Sequence, residues 1–87
     1  MTYRVELTRR ARRSLFEELP EVVAAACWEF IRGPLAESPH RVGKRLREEL
    51  ADRWSARRGA FRVVYEIHED VVVVRVIDVR HRRDACR

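Results

Sequence analysis

The chain has 87 residues, enough for one domain with a single modest core and too few for two. Its apolar fraction of 46% is that of a folded protein, and its 38% of charged residues excludes a membrane-spanning bundle and gives a very polar surface. The 19 basic side chains exceed the 14 acidic ones by 5, Lys44 is the sole lysine, and such an arginine-rich excess favours nucleic acid or an acidic protein as partner.

Cys27, in an apolar helical run, and Cys86, near the terminus, do not form a disulfide framework, and no group of residues approaches metal-ligand spacing. No metal and no cofactor is expected. The N-terminal residues alternate in polarity and carry no apolar signal core, and no apolar run approaches spanning length, so the expectation is a cytoplasmic chain without a membrane segment.

In chain order, Tyr3, Val5 and Leu7 alternate with Arg4 and Glu6 and predict a strand. Thr8 has the chemistry of a helix N-cap. Ala11, Leu15 and Leu19 then recur at helical spacing, with charges on the other faces, as far as Pro20. A second helix runs from Glu21 to about Ile31, its stripe being Val22, Val23, Ala26, Cys27, Phe30 and Ile31, and Gly33-Pro34 is expected to stop it. Leu35 to Arg41 reads as a polar loop, Val42 to Leu46 is too short and glycine-broken to assign, and Arg47 to Leu50 suits a helical turn.

Strands follow from Arg53 to about Arg58 and from Phe61 to His68, with a tight turn at Gly59 between them. A hairpin turn at Glu69-Asp70 leads into Val71 to Val79, a nearly continuous β-branched run with Arg75 inside it, the pattern of a central strand buried on both faces. The tail from Arg80 to Arg87 is strongly basic. The order is β-α-α-β-β-β over a single domain, residues 1–87. This predicts an α+β fold: a small, antiparallel-rich sheet with an N-terminal strand, an α-hairpin on one face and three C-terminal strands.

Along the second of those strands Phe61, Val63, Tyr65 and Ile67 share one face, while Arg62, Val64 and Glu66 share the other. Arg62 thus sits mid-strand on the face the helices leave open, where Arg57, Arg58, Arg75 and the basic tail are positioned to join it as an anion-binding surface. Alternatively these arginines are solvated, or pair with Glu66, Glu69 and Asp78. His81, flanked by Arg80, Arg82 and Arg83, is a candidate for proton transfer beside a bound phosphate. His40 and His68 read as exposed, and Asp84 and Glu66 as arginine partners. No Gly-rich phosphate loop, paired-carboxylate pattern or Ser-His-Asp arrangement is visible. Any catalysis must therefore come from arginines that position a phosphodiester and stabilise charge in its transition state.

The element order is one of several features that together resemble the RelE branch of the RelE/ParE toxins, over essentially the whole chain. The others are the Val42-Gly43-Lys44-x-Leu46 segment, the run from Trp54 through Arg57, Arg58, Gly59, Phe61, Arg62 and Val63 to Tyr65, and the terminal Val79-x-His81-Arg82-Arg83-Asp84. The resemblance implies a microbial-ribonuclease-like fold and the toxin of a type II toxin–antitoxin pair. Such a toxin is an endoribonuclease that cuts mRNA in the A site of the 30S ribosomal subunit by attack of a 2′-hydroxyl on the adjacent phosphate. It also implies a cognate antitoxin, acidic or amphipathic, that wraps the toxin and alone contacts operator DNA.

Position by position, the resemblance makes Arg62 the scissile-phosphate ligand and Arg82 its supporting arginine, with Arg83 a rival. Lys44 and Arg57 would stabilise charge or contact RNA. Arg53 falls at another such basic position, and His81 where several relatives carry a basic or histidine residue; Arg45, Arg58, Arg75 and Arg83 are further candidates for RNA or rRNA contact. Cys86 stands where many relatives have a tyrosine, and a thiol neither stacks nor transfers protons as that side chain does. Two alternatives carry different chemistry: a ParE-like inhibitor of DNA gyrase, and a non-cleaving homologue that binds only antitoxin or RNA.

Overall fold

The computed structural model describes residues 2–46 and 52–81. In chain order these form β1 (Arg4–Leu7), α1 (Arg9–Arg13), α2 (Glu21–Phe30), α3 (Pro39–Val42), β2 (Lys44–Arg45), β3 (Trp54–Arg58), β4 (Phe61–His68) and β5 (Val73–His81). The strands make one five-stranded sheet in the order β1-β5-β4-β3-β2. β1 runs parallel to β5, and the other pairs are antiparallel. This is the expected α+β architecture, with one short helix and one short edge strand added.

Thr8 caps α1 as its chemistry predicts, accepting the Ala11 amide at 3.1 Å through Oγ1. The same hydroxyl donates to the Ile77 carbonyl at 2.7 Å, fixing the helix start to β5. Wider π-type turns follow α1 (Ser14–Glu18) and α2 (Ile31–Leu35). The second corrects the expectation that Gly33-Pro34 ends the helix. Pro34 has no amide hydrogen to donate, and the backbone accommodates it by widening the turn. The helical path then continues, with the Ser38 amide donating to the Pro34 carbonyl at 2.9 Å.

Three further expectations change. The segment read as a polar loop contains α3, and the unassigned segment supplies edge strand β2. Val71 and Val72 belong to a four-residue turn with Glu69 and Asp70 rather than to β5. Glu-Asp lacks the glycine or asparagine that a two-residue hairpin turn favours, and the chain instead turns with Val72 at φ +54°. β5 is flanked by strands on both sides, as its valines suggest, yet it is not covered on both faces, because Arg75 and Arg80 are exposed. The possible helical turn from Arg47 to Leu50 lies outside the described residues.

The helices cover one face of the sheet. Leu15, Cys27, Phe30, Ile31 and Leu35 pack there against Val63, Tyr65, Val74, Val76 and Val79 in a single apolar cluster. Val22 departs from the predicted stripe and is 83% exposed. Tyr65, fully buried, donates its hydroxyl hydrogen to the Pro39 carbonyl at 2.6 Å and so ties α3 to the sheet. Gly43 passes directly over that contact: a Cβ there would meet the Tyr65 hydroxyl and the Ser55 carbonyl. Only glycine lets the chain leave α3 and enter β2 at this approach.

One irregularity governs the open face. Val64 pairs with Asp78 but Tyr65 pairs with Val76, so Ile77 is an extra residue in β5, a bulge. Its carbonyl is the one that takes the Thr8 hydroxyl.

Candidate functional site

Residues directly opposite each other on paired strands project to the same face. The register therefore orders the open face into rows that cross the sheet. Arg57 on β3, Arg62 on β4 and Arg80 on β5 form one row. Lys44, Ser55, Val64 and Asp78 form the next. Farther along the strands, Glu66, Arg75 and Glu6 form a third, and Arg53 extends it with its Nε 3.6 Å from the Glu66 carboxylate.

The rows differ in charge balance. In the third, each arginine is flanked by a glutamate, and His68 adds a 2.9 Å contact to Glu66. Charges of opposite sign thus alternate along this row, with Arg53 in ion-pair contact and Arg75 opposite a glutamate on either side. The first row holds three cations and no carboxylate. Among the described residues, the Arg57 and Arg62 side chains make no hydrogen bond or ion pair. With strands about 4.8 Å apart, like charges directly opposite destabilise the sheet by roughly 0.2–1 kcal/mol per pair. A bound anion reverses that sign. Planar guanidinium groups on a rigid sheet suit the oxygens of a phosphodiester and the additional charge of its transition state.

The register also separates residues that adjacency in sequence groups together. Arg58 pairs with Phe61 and lies on the helix-side face, its guanidinium 4.8 Å above the Phe30 ring. Arg45 pairs with Trp54, and Trp54 with Tyr65, which turns Arg45 away from the Lys44 face. Arg75 and Arg53 belong to the third row, the ladder of alternating charge. His81 is the last residue of β5 rather than a loop residue, and it pairs with Phe61, on the face opposite Arg62. The predicted convergence of Arg62 and His81 is thus corrected by simple alternation. Arg82, Arg83, Asp84 and Cys86 lie outside the described residues.

Arg80, the first residue of the basic tail, stands beside Arg62 on the open face, as expected of the tail. Counting pairs back along β5 finds it only if the extra residue at Ile77 is included. Asp78 holds it: Arg80 Nε donates to Oδ2 at 2.9 Å, and Arg10 Nε of α1 lies 3.4 Å from the same oxygen. His40 is exposed, as expected, but lies in α3, 2.7 Å from Glu69 and edge-on to Trp54.

The remaining reactive groups are quiet. Burial pushes the Cys27 thiol up to about 12 and the Tyr65 hydroxyl up to about 12, so both are neutral near pH 7. The hydrogen bond to Glu69 raises Tyr3. Among the described residues no His, Cys, Asp and Glu cluster is able to hold a metal ion, and no helix is long and apolar enough to cross a membrane. On the helix side, Val22, Val23, Ala26, Phe30, Pro34 and Phe61 line an open apolar groove of about 580 Å³.

Comparison with known proteins follows the same outline. The family model described as "ParE toxin of type II toxin-antitoxin system, parDE" matches residues 5–86. The chain is 47% identical over 85 residues to the toxin RelE of Mycobacterium tuberculosis, covering 98% of this chain and 87% of that protein. It is 46% identical over 87 residues to the toxin RelG of the same organism, covering 100% and 99%. The crystal structure of the toxin–antitoxin complex RelBE2 from M. tuberculosis contains a chain that superposes with a TM-score of 0.90 at 44% identity, over 93% of this chain and 99% of that one.

Proposed function

The chain belongs to the RelE/ParE family of toxins of type II toxin–antitoxin systems, and we propose that it is a ribosome-dependent mRNA endoribonuclease whose working centre is Arg62. The 2′-hydroxyl of the substrate attacks the adjacent phosphorus, the 5′-oxygen leaves with a proton, and a 2′,3′-cyclic phosphate forms that water opens to a 3′-phosphate. Arg62, flanked by Arg57 and Arg80, holds the non-bridging oxygens and stabilises the charge that grows on them. Lys44 in the neighbouring row adds positive charge along the RNA path. By family resemblance Arg82 and Arg83 support the phosphate, and Cys86 occupies the position of the family tyrosine. The single observation that carries this reading is the contrast between Arg57 and Arg62, opposite each other with no carboxylate beside either side chain, and the alternating charges of the ladder on the same face.

A cognate antitoxin completes the picture. M. tuberculosis RelBE2 is a toxin–antitoxin complex, and the apolar groove beside Val22 and Phe30 suits the apolar side of an amphipathic partner helix. The net charge of +5 favours an acidic one. On this reading the toxin works in the cytoplasm, where its substrate is, and meets operator DNA only through the antitoxin.

The test is primer extension on a defined mRNA, with programmed ribosomes present or absent, for the protein and its Arg62→Ala variant. Ribosome-dependent cuts that vanish in the variant, with the fold retained, are expected. An absence of cuts in both conditions would refute the nuclease reading. Because the matching family description names ParE, a gyrase supercoiling assay runs beside it, and inhibition there without RNA cleavage would establish the other chemistry.

A further inference from the structure

β1 ends at Leu7, opposite Val76, and beyond that point the outer edge of β5 is taken over by the start of α1. Arg10 therefore reaches around the sheet edge to Asp78. This carboxylate is 8% exposed, and one of its oxygens faces two arginines, Arg80 at 2.9 Å and Arg10 at 3.4 Å. A buried carboxylate is costly unless paired and hydrogen-bonded, and either cation would serve to pair it. Engaging both at Nε does something more. It fixes the direction of two guanidinium groups that stay accessible, with 47% and 68% of their side-chain surfaces exposed.

The geometry points to a second phosphate seat. We propose that Arg80 and Arg10, aimed by Asp78, bind the phosphate that neighbours the one at Arg62, so that the open face grips two consecutive phosphates of one RNA strand. The row is wide enough for this. Arg57 and Arg80 stand on either side of Arg62, about 10 Å apart at the spacing of neighbouring strands, and Arg10 lies beyond them. Arg9 and Arg13 continue the positive surface along α1, around a hollow they share with Arg10, Ser14 and Glu18. Asp78 acts here as a positioning residue: it touches no RNA and holds Arg80 in the rotamer that does. This seat rests on the RNA reading given above.

The experiment measures binding, not cleavage. The purified full chain is titrated with a single-stranded 2′-O-methyl RNA hexamer, which has no free 2′-hydroxyl, at several salt concentrations. Arg80→Gln and Arg10→Gln are each expected to lower the slope of log K against log salt by about 0.7, one phosphate contact on a single strand. Asp78→Asn is the discriminating variant. It removes a negative charge, so electrostatics alone predicts tighter binding, whereas the seat predicts binding weaker by about threefold or more through loss of pre-organisation. Thermal melting verifies that each variant is folded, and Arg80→Lys, which keeps the charge, should restore the slope.

Tighter binding by Asp78→Asn, or wild-type slopes in both the Arg80 and the Arg10 variants, would overturn the seat. An unchanged slope in Arg62→Gln as well would overturn the RNA reading with it.

Discussion

Replacing Tyr65 by Phe tests the anchor that holds α3, and with it the approach to Lys44, against the sheet. At neutral pH the variant loses one hydrogen bond, the 2.6 Å contact to Pro39, and leaves that carbonyl buried without its donor. The cost is about 1–3 kcal/mol, or roughly 4–8 °C of melting temperature per kcal/mol in a domain this small. The pH dependence is the more telling part. Burial raises the Tyr65 hydroxyl from 10.0 to about 12. A raised pKa in the folded state contributes stability that is complete below pH 10 and disappears as pH climbs from 10 to 12. Two pKa units correspond to about 2.7 kcal/mol. Urea unfolding from pH 7 to 12 should therefore show the variant less stable at pH 7 and the gap closing towards pH 12. Cys27, raised by burial from 9.0 to about 12, destabilises both proteins alike over that range. Tyr3, also raised, and the single lysine are present in both proteins and cancel in the difference. Parallel curves with a constant gap, or no loss at neutral pH, would refute the reasoning.

Gly43→Ala should cost about 1–3 kcal/mol through overpacking against Tyr65 and Ser55. In a double-mutant cycle with Tyr65→Phe part of that cost should vanish, because the hydroxyl is one of the two obstacles. Arg75→Gln should leave the salt dependence of RNA binding within error of wild type, since Glu6 and Glu66 flank Arg75; a drop equal to that of Arg62→Gln would mean that the ladder is also an RNA surface. Cys86→Tyr should raise the rate of mRNA cleavage in primer extension, and an unchanged rate would assign the family tyrosine's role to another group.

The parts of this fold legible in the residues are those that follow from period and polarity. Strand β4 is correct to the residue because Phe61, Val63, Tyr65 and Ile67 fall at alternate positions of one β-branched and aromatic run, and the Thr8 cap is correct because its hydroxyl chemistry is local. What failed did so for reasons of longer range. Gly33-Pro34 reads as a stop, yet packing of Ile31 and Leu35 on either side keeps the helix going through a widened turn. Two valines adjoining the Glu-Asp turn look like strand because β propensity is blind to which residues the turn consumes. The site divided in the same way. Arg62 was placed by alternation within one strand. Proximity along the chain groups Arg58, His81 and Arg80 with Arg62, and only cross-strand register sorts them onto faces.

The bulge at Ile77 has a bearing on how such a chain can change. Were Ile77 drawn into the ladder instead of bulging out of it, each position after it would pair one step out of phase. Val79 would then stand beside Arg62, and Arg80 would turn towards Phe61. The basic face is thus encoded as much by a count of residues as by their identities. Homologues can exchange side chains along β5 gradually, each substitution selected on its own merits. A one-codon deletion at position 79, with the bulge kept, would instead bring Arg80 opposite Val63 and onto the helix side in a single step. Variation in length, more than in composition, should mark the boundary between toxins that share this face and those that have lost it.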